Sequence, residues 1–273
     1  SCWWDEKMNI LETFKLNNRT AIVTGAGRGL GRAMSHGLAE AGADVVVVEL
    51  DEENGKKVVE EIKYIGQRSI FIKTDVSDYK SVEKMVDKVY EEFGSIEILI
   101  NNAGVVYKPQ TPSGDASIAT EEVYPENWDY VIKVDLCSVF YCSQLVGRVM
   151  INQKKGKIIN VASMSGFVGN LGRHNNAYCA AKGGVVMLTR QLAGDWAKYG
   201  INVNAIGPGY MKTEMGSGPL EDPKVKDLIK LMTPMGRPGE PDELKGLAVF
   251  LASDASKFIT GQTIVIDGGY TIW

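Results

Sequence analysis

Tyr178 and Lys182 stand four residues apart in the run Tyr178-Cys179-Ala180-Ala181-Lys182, and on a helix that spacing sets both side chains on one face. An ammonium beside a phenol favours the phenolate and lowers a pKa that is about 10 in free peptides. A Tyr in that setting donates and accepts protons near neutral pH. Far upstream lies a second chemical feature, the turn Thr24-Gly25-Ala26-Gly27-Arg28-Gly29-Leu30-Gly31. It follows the apolar run Ala21-Ile22-Val23 and opens a helical pattern. In that order, backbone N–H groups and the positive end of a helix dipole meet a pyrophosphate. The glycines follow T-G-x-x-x-G-x-G and not G-x-G-x-x-G, a variant of the same device. A dinucleotide site joined to a titratable Tyr–Lys pair points to hydride transfer to or from a carbon bearing oxygen.

Glu49 ends the second apolar run, about 20 residues past the turn, where a carboxylate holds ribose hydroxyls. A 2′-phosphate would meet a like charge there, so NAD is expected over NADP. Arg28 argues the other way, and Glu49 is given more weight because it repels that phosphate directly. Asp75 and Val76 end the third run; they either contact adenine or form the N-cap region ahead of Ser77 and Asp78.

The elements that must position these residues alternate. Predicted strands are Thr20–Thr24, Asp44–Glu49, Ser69–Thr74, Ile96–Asn101, Lys157–Val161, Ile201–Ile206 and Thr263–Asp267. Predicted helices are Leu30–Ala41, Glu52–Ile65, Ser81–Phe93, Glu126–Asn152, Ala177–Lys198 and Pro241–Ala252. Strands such as Val45-Val46-Val47-Val48 lack polar alternation and suit a sheet covered on both faces. The expected fold is α/β: one domain over residues 1–273 with a doubly wound parallel Rossmann-type sheet of about seven strands and helices on both faces. Residues 1–15 form an N-terminal arm. Two Pro- and Gly-bearing stretches, Val105–Pro125 and Pro208–Pro238, follow strand ends on the edge where ligands bind.

The 273 residues carry a net charge of −4 with Lys and Arg dispersed. That charge gives no reason to expect nucleic acid or an anionic membrane as partner. The cysteines, Cys2, Cys137, Cys142 and Cys179, form no C-x-x-C pair and only two His are present, so no metal site is expected. Cys179 reads as packing. No apolar run reaches the roughly 18–20 residues of a membrane span, and the acidic start Ser1-Cys2-Trp3-Trp4-Asp5-Glu6-Lys7 lacks the pattern of a signal peptide. A cytoplasmic setting is the expectation. Whether residues 1–7 are native or an expression remnant ahead of Met8 stays open.

These residues resemble the short-chain dehydrogenase/reductase family from about Leu16 to Gly269. The motifs occur in order: Thr24 to Gly31, Asn101-Asn102-Ala103-Gly104, Ser163, Tyr178 with Lys182, and Pro208-Gly209 followed by Thr213. The resemblance implies that Tyr178 is the general acid/base, that Lys182 holds the ribose hydroxyls and depresses the Tyr178 pKa, and that Ser163 binds the substrate oxygen. It implies cofactor contacts at Gly25, Arg28, Gly29, Leu30, Gly31, Glu49, Asp75, Val76, Asn102, Ala103, Gly104, Pro208, Gly209 and Thr213, and a homotetramer built through the two long helices. One position departs: the family's Asn is replaced by Asp135 in Val134-Asp135-Leu136. An ionised Asp accepts hydrogen bonds and donates none, so a proton relay through it would be altered.

The long Ser163-to-Tyr178 spacing, Pro208-Gly209-Tyr210-Met211 and Met235-Gly236-Arg237 resemble the polyol dehydrogenase, ketose reductase and gluconate 5-dehydrogenase branch. The implied substrate is a sugar, polyol or sugar acid, with Tyr107, Ser165, His174, Asn175 and Tyr210 as candidate contacts, Asn176 beside them, and a lid over about 210–236. Two other readings stand beside it: an NADPH-dependent 3-oxoacyl carrier-protein reductase, which Glu49 disfavours, and a non-catalytic NAD sensor, which has no need of Ser163, Tyr178 and Lys182 together.

Overall fold

The computed structural model describes residues 9–107, 119–170, 175–213 and 223–273. Seven strands, β1 Thr20–Thr24, β2 Asp44–Glu49, β3 Ser69–Lys73, β4 Ile98–Asn101, β5 Gly156–Val161, β6 Ile201–Pro208 and β7 Thr263–Ile266, form one sheet in the order β3-β2-β1-β4-β5-β6-β7. Every neighbouring pair is parallel. The unbroken Val run of β2 has a plain cause. Val45 and Val47 pack into one core with Met34 and Leu38 of α1 (Gly29–Glu40) and Val58 and Ile62 of α2 (Glu52–Ile65). Val46 and Val48 pack into another with Val82 and Val86 of α3 (Tyr79–Phe93). Both faces of the strand are buried, so neither face can be polar.

Chain order reverses between β1 and β4, which opens a crevice at the carboxyl ends of those strands. The glycine turn fills its floor. Gly25 has φ +63°, in the left-handed region that favours glycine. At Gly31 a Cβ would lie 2.1 Å from the carbonyl oxygen of Gly25, closer than any side chain can sit. Asn102 braces the turn from β4: its amide nitrogen donates to the carbonyls of Thr24 and Gly25, both at 3.0 Å. The Thr24 hydroxyl in return accepts from the backbone N–H groups of Asn102 and Ala103 at 3.0 and 3.1 Å. Deeper in the sheet, Asn101 donates to Asn160 at 2.8 Å, and Asn160 to Thr189 at 2.9 Å.

The helix expected over Glu126–Asn152 is interrupted. It comprises α4 (Pro125–Ile132), a π-turn at Lys133–Cys137 and α5 (Ser138–Gln153). The extra residue of a π-turn changes which side chains face inward, and here it brings Asp135 to full burial. Taken together, Pro125–Gln153 is long and apolar enough for a membrane span, with more than half of its apolar window buried inside the protein. The reading that no run reaches that length is therefore corrected at this helix. Its apolarity is explained in part by packing, since Cys142, Leu145, Val146 and Met150 join the core under α3 and β4. Among the described residues the remaining α-helices are α6 (Asn176–Trp196), α7 (Pro223–Met232) and α8 (Lys245–Ala252). Asp78 caps α3 by accepting from the N–H of Lys80. Asp75 instead closes a local turn, accepting from the Ser77 N–H at 2.9 Å and hydroxyl at 2.7 Å.

Gly31→Ala is expected to cost about 1–3 kcal/mol of stability by overpacking, read from the urea midpoint, and to weaken NADH binding in a fluorescence titration. Unchanged values for both would mean that the turn yields freely.

Candidate active site

A cavity of about 540 Å³ runs across the carboxyl ends of the strands. Gly25, Arg28, Gly29 and Leu30 line its floor; Glu49, Leu50, Asp51, Asp75 and Val76 line one end. Asn102, Ala103 and Gly104 lie midway, and Asp135, Ser163, Tyr178, Lys182, Pro208, Gly209 and Thr213 close the other end. Gly31 sits behind the floor, where it lets α1 approach the turn. Glu49 is held from both sides: Oε2 accepts from the N–H of Gly27 at 3.1 Å and Oε1 from that of Leu50 at 2.8 Å. Asp51 caps α2 through the N–H groups of Glu53 and Asn54, and the bonds from Asn54 above all hold its carboxyl below the usual range. A glycine-bearing floor before a helix N-terminus, ending on two fixed carboxylates, fits a dinucleotide with its phosphates on the turn and its ribose hydroxyls at Glu49.

Lys182 organises the opposite end. Its ammonium is buried, donates to the carbonyl of Val161 at 3.0 Å, and lies 3.2 Å from Oδ2 of Asp135 and 5.4 Å from the centre of the Tyr178 ring. Oδ1 of Asp135 accepts from the N–H of Val105 at 2.7 Å. Gly104 makes room for this pair, since a Cβ there would come within 3.0 Å of Oδ2 and 3.4 Å of the ammonium. Ser163, in extended backbone at the exit of β5, accepts from the N–H of Ser165 at 3.1 Å. Four segments thus converge: the β4 exit, the π-turn, the β5 exit and the first turns of α6.

The charges correct one expectation. Lys182 does favour the ionised phenol, and Ser163 does so less strongly, yet the Tyr178 pKa lies above its usual value. Burial among protein atoms disfavours the phenolate and outweighs one ammonium, and the carboxylate of Asp135 adds to the rise. Burial likewise raises the Asp135 carboxyl, opposed chiefly by Lys182 and then by the Val105 N–H. Lys182 itself is stabilised in its charged form by Asp135, against the cost of burial.

Among the expected substrate contacts, Ser165, Asn175 and Tyr210 line the cavity. Tyr107 is exposed and not part of the lining, where Val105 and Val106 stand instead. Its loop leaves β4 with the backbone of Val105 tied to Asp135, and the Tyr107 ring lies beyond that anchor. His174 lies outside the described residues. Sequence reasoning missed Asn170, whose amide nitrogen is within hydrogen-bonding reach of Ser165 at 2.9 Å, Asn175 at 3.0 Å and the Cys179 sulfur at 3.6 Å. Cys179 therefore belongs to a polar cluster and not to plain packing. Tyr130, Met164 and Met211 were also missed as lining; no spacing marks them, because they reach the cavity only through the path of the chain. Tyr210 stacks edge-on against Tyr270, with ring centres 5.7 Å apart. Cys142 is fully buried and its thiol is pushed up to about 12. Among the described residues no group of His, Cys, Asp and Glu is arranged to hold a metal.

A family model described as enoyl-(acyl carrier protein) reductase matches residues 25–271. The 2-dehydro-3-deoxy-D-gluconate 5-dehydrogenase of Dickeya dadantii is 43% identical over 96% of this chain and 98% of its own. The NAD-dependent glycerol dehydrogenase of Listeria innocua is 38% identical over 95% of this chain and 96% of its own. A gluconate 5-dehydrogenase from Burkholderia cenocepacia, solved with NADP and tartrate, superposes with a TM-score of 0.90 at 37% identity, covering 97% of this chain and all of that one. The chain belongs to the short-chain dehydrogenase/reductase family and is a pyridine-nucleotide-dependent oxidoreductase acting on CH–OH groups.

Proposed function

We propose that this enzyme interconverts a polyol or sugar acid and its ketone with NAD(H), using Tyr178 as proton donor and acceptor. The observation that carries the reading is the buried Lys182 ammonium, set between the Val161 carbonyl, Asp135 and the Tyr178 ring at the closed end of the cavity. The bound nicotinamide supplies or accepts the hydride. In alcohol oxidation the Tyr178 phenolate takes the hydroxyl proton, and in ketone reduction the phenol returns one. Ser163 donates a hydrogen bond to the substrate oxygen. Lys182 stabilises the phenolate and anchors the ribose. Thr213 lines the same end of the cavity, and of the lid expected over about 210–236, residues 214–222 lie outside the described residues.

Ser165, Asn170 and Asn175 form a linked set of neutral donors and acceptors, suited to hydroxyl groups. A site built this way rejects apolar carbonyls, since they leave its buried donors unpaired. The sugar, polyol and sugar-acid activities named for full-length relatives agree with it. The family description that names a carrier-protein reductase keeps that reading as the rival; turnover of an acetoacetyl thioester faster than of any polyol or ketose would favour it. NAD is preferred over NADP because Glu49 and Asp51 both face the ribose end. Phe140 of α5 and Met187 of α6 are exposed, in keeping with a homotetramer assembled through these helices, which sedimentation velocity tests directly.

Tyr178→Phe is expected to keep NAD binding and to lose at least about a hundredfold in kcat; near-normal turnover would remove the mechanism. In Glu49→Ala the ratio of kcat/KM for NAD over NADP is expected to fall by about tenfold or more, and an unchanged ratio would show that this carboxylate does not read the ribose. For Asn170→Ala, KM for the polyol should rise several-fold while NAD affinity stays constant; a loss confined to NAD would mean that the amide cluster does not face substrate.

A further inference from the structure

We propose that Asp135 is the resident counter-ion of Lys182, so that one ammonium is shared between a buried carboxylate and the Tyr178 phenol, and the carboxylate sets the pH at which the phenol releases its proton. This rests on the assignment of Tyr178 as proton donor and acceptor, and it gives Asp135 a role other than carrying protons: it positions and tunes the ammonium.

The geometry is specific. Asp135 has no exposed surface. One of its oxygens is fixed by the Val105 N–H at 2.7 Å. The other has no hydrogen-bond donor of good geometry and stands 3.2 Å from the ammonium. The π-turn delivers the side chain to that point, and the missing Cβ of Gly104 leaves the space the pair occupies. An Asn at this position would offer Lys182 only a dipole, and the whole charge of the ammonium would act on the phenol. A carboxylate takes much of that charge for itself.

The surrounding groups do not cancel the effect. α6 contributes Tyr178, Lys182 and Cys179, and α4 contributes Tyr130. Asp75, past the end of β3, acts on Tyr130. The exits of β4 and β5 present the Val105 N–H, the Val161 carbonyl and the Ser163 hydroxyl. Among the described residues, Lys182 is thus the one cation of the groups facing Asp135. When the phenol–ammonium pair loses a proton, its net charge falls beside a fixed negative charge, which makes the loss harder. Removing that charge makes it easier, whichever of the two coupled sites gives up the proton. Tyr130 starts with a raised pKa from burial and does not enter near neutral pH.

The test is Asp135→Asn, which keeps an oxygen for the Val105 N–H and replaces the charged oxygen facing the ammonium with a neutral amide NH2. In polyol oxidation with NAD, followed from about pH 6 to about pH 10, the rising limb of kcat/KM is expected to move to lower pH by about one unit. At a fixed pH on that limb, the activity relative to the plateau rises by up to about tenfold. In ¹⁵N-lysine spectra the Lys182 ammonium is expected to titrate at lower pH than in the wild type. A superimposable limb, or a uniform loss at every pH without displacement, would overturn the proposal and leave Asp135 as a relay or packing residue. If Asp135→Asn does not fold, Gly104→Ala crowds the pair apart and is expected to move the limb in the same direction; no movement counts against the proposal equally. Retained turnover in Tyr178→Phe would sink the proton-transfer assignment alone, because the Lys182 titration reports on the ion pair without any turnover.

Discussion

A buried ammonium is the constraint on which the catalytic end depends. Lys182 is almost fully removed from solvent, and an unpaired charge in that position is strongly destabilising. Its partners come from separate parts of the chain: the Val161 carbonyl from the end of β5, Asp135 from the π-turn and the Tyr178 ring from the preceding turn of α6. Leaving such a charge without its counter-ion costs about 3–5 kcal/mol. The ammonium therefore fixes the relative positions of three elements, and the same contacts that satisfy it hold the phenol at the closed end of the cavity.

The cofactor end depends on backbone approach and not on buried charge. Thr24, Gly25 and Asn102 form a closed set of hydrogen bonds between the β1 exit and the β4 exit, the two strands flanking the point where chain order reverses. Asn102 spends both hydrogens of its amide on the turn's carbonyls. Its part is thus to hold the glycine turn in place beneath the cavity. The two ends meet at Gly104, one residue past this brace and against the Asp135–Lys182 pair.

Much of this was legible in the sequence. Runs such as Val45–Val48 carry their burial on both faces in their composition, and the β2 and α2 boundaries agree with the reading residue for residue. The Tyr178–Lys182 spacing survives translation into structure because a helix makes four residues one face. Three things were not legible. The π-turn at Lys133–Cys137 does not show, because the helix on either side of it is apolar enough to mask the change of phase that one extra residue brings. Asn170 sits in a loop, and only tertiary folding brings it to Ser165, Asn175 and Cys179. The net direction of the Tyr178 shift depends on desolvation, which a spacing argument cannot weigh against one neighbouring ammonium.

The preference assigned to the ribose end turns on rigidity as much as on charge. A free surface glutamate facing a 2′-phosphate rotates away, and the repulsion is lost. Glu49 is not free to do so: Gly27 and Leu50 each donate a backbone hydrogen bond to a different carboxylate oxygen. Gly27 also packs so closely on it that an added Cβ would come within 2.9 Å of the Glu49 Cγ. To turn aside, the side chain must give up its bond from the buried Gly27, at roughly 1 kcal/mol or more. Asp51 is similarly bound to the start of α2. Arg28 is exposed and reaches toward Asp51, whose charge it partly offsets. One exposed cation therefore stands beside two anchored anions, and anchored charges discriminate better, because the disfavoured ligand cannot push them away.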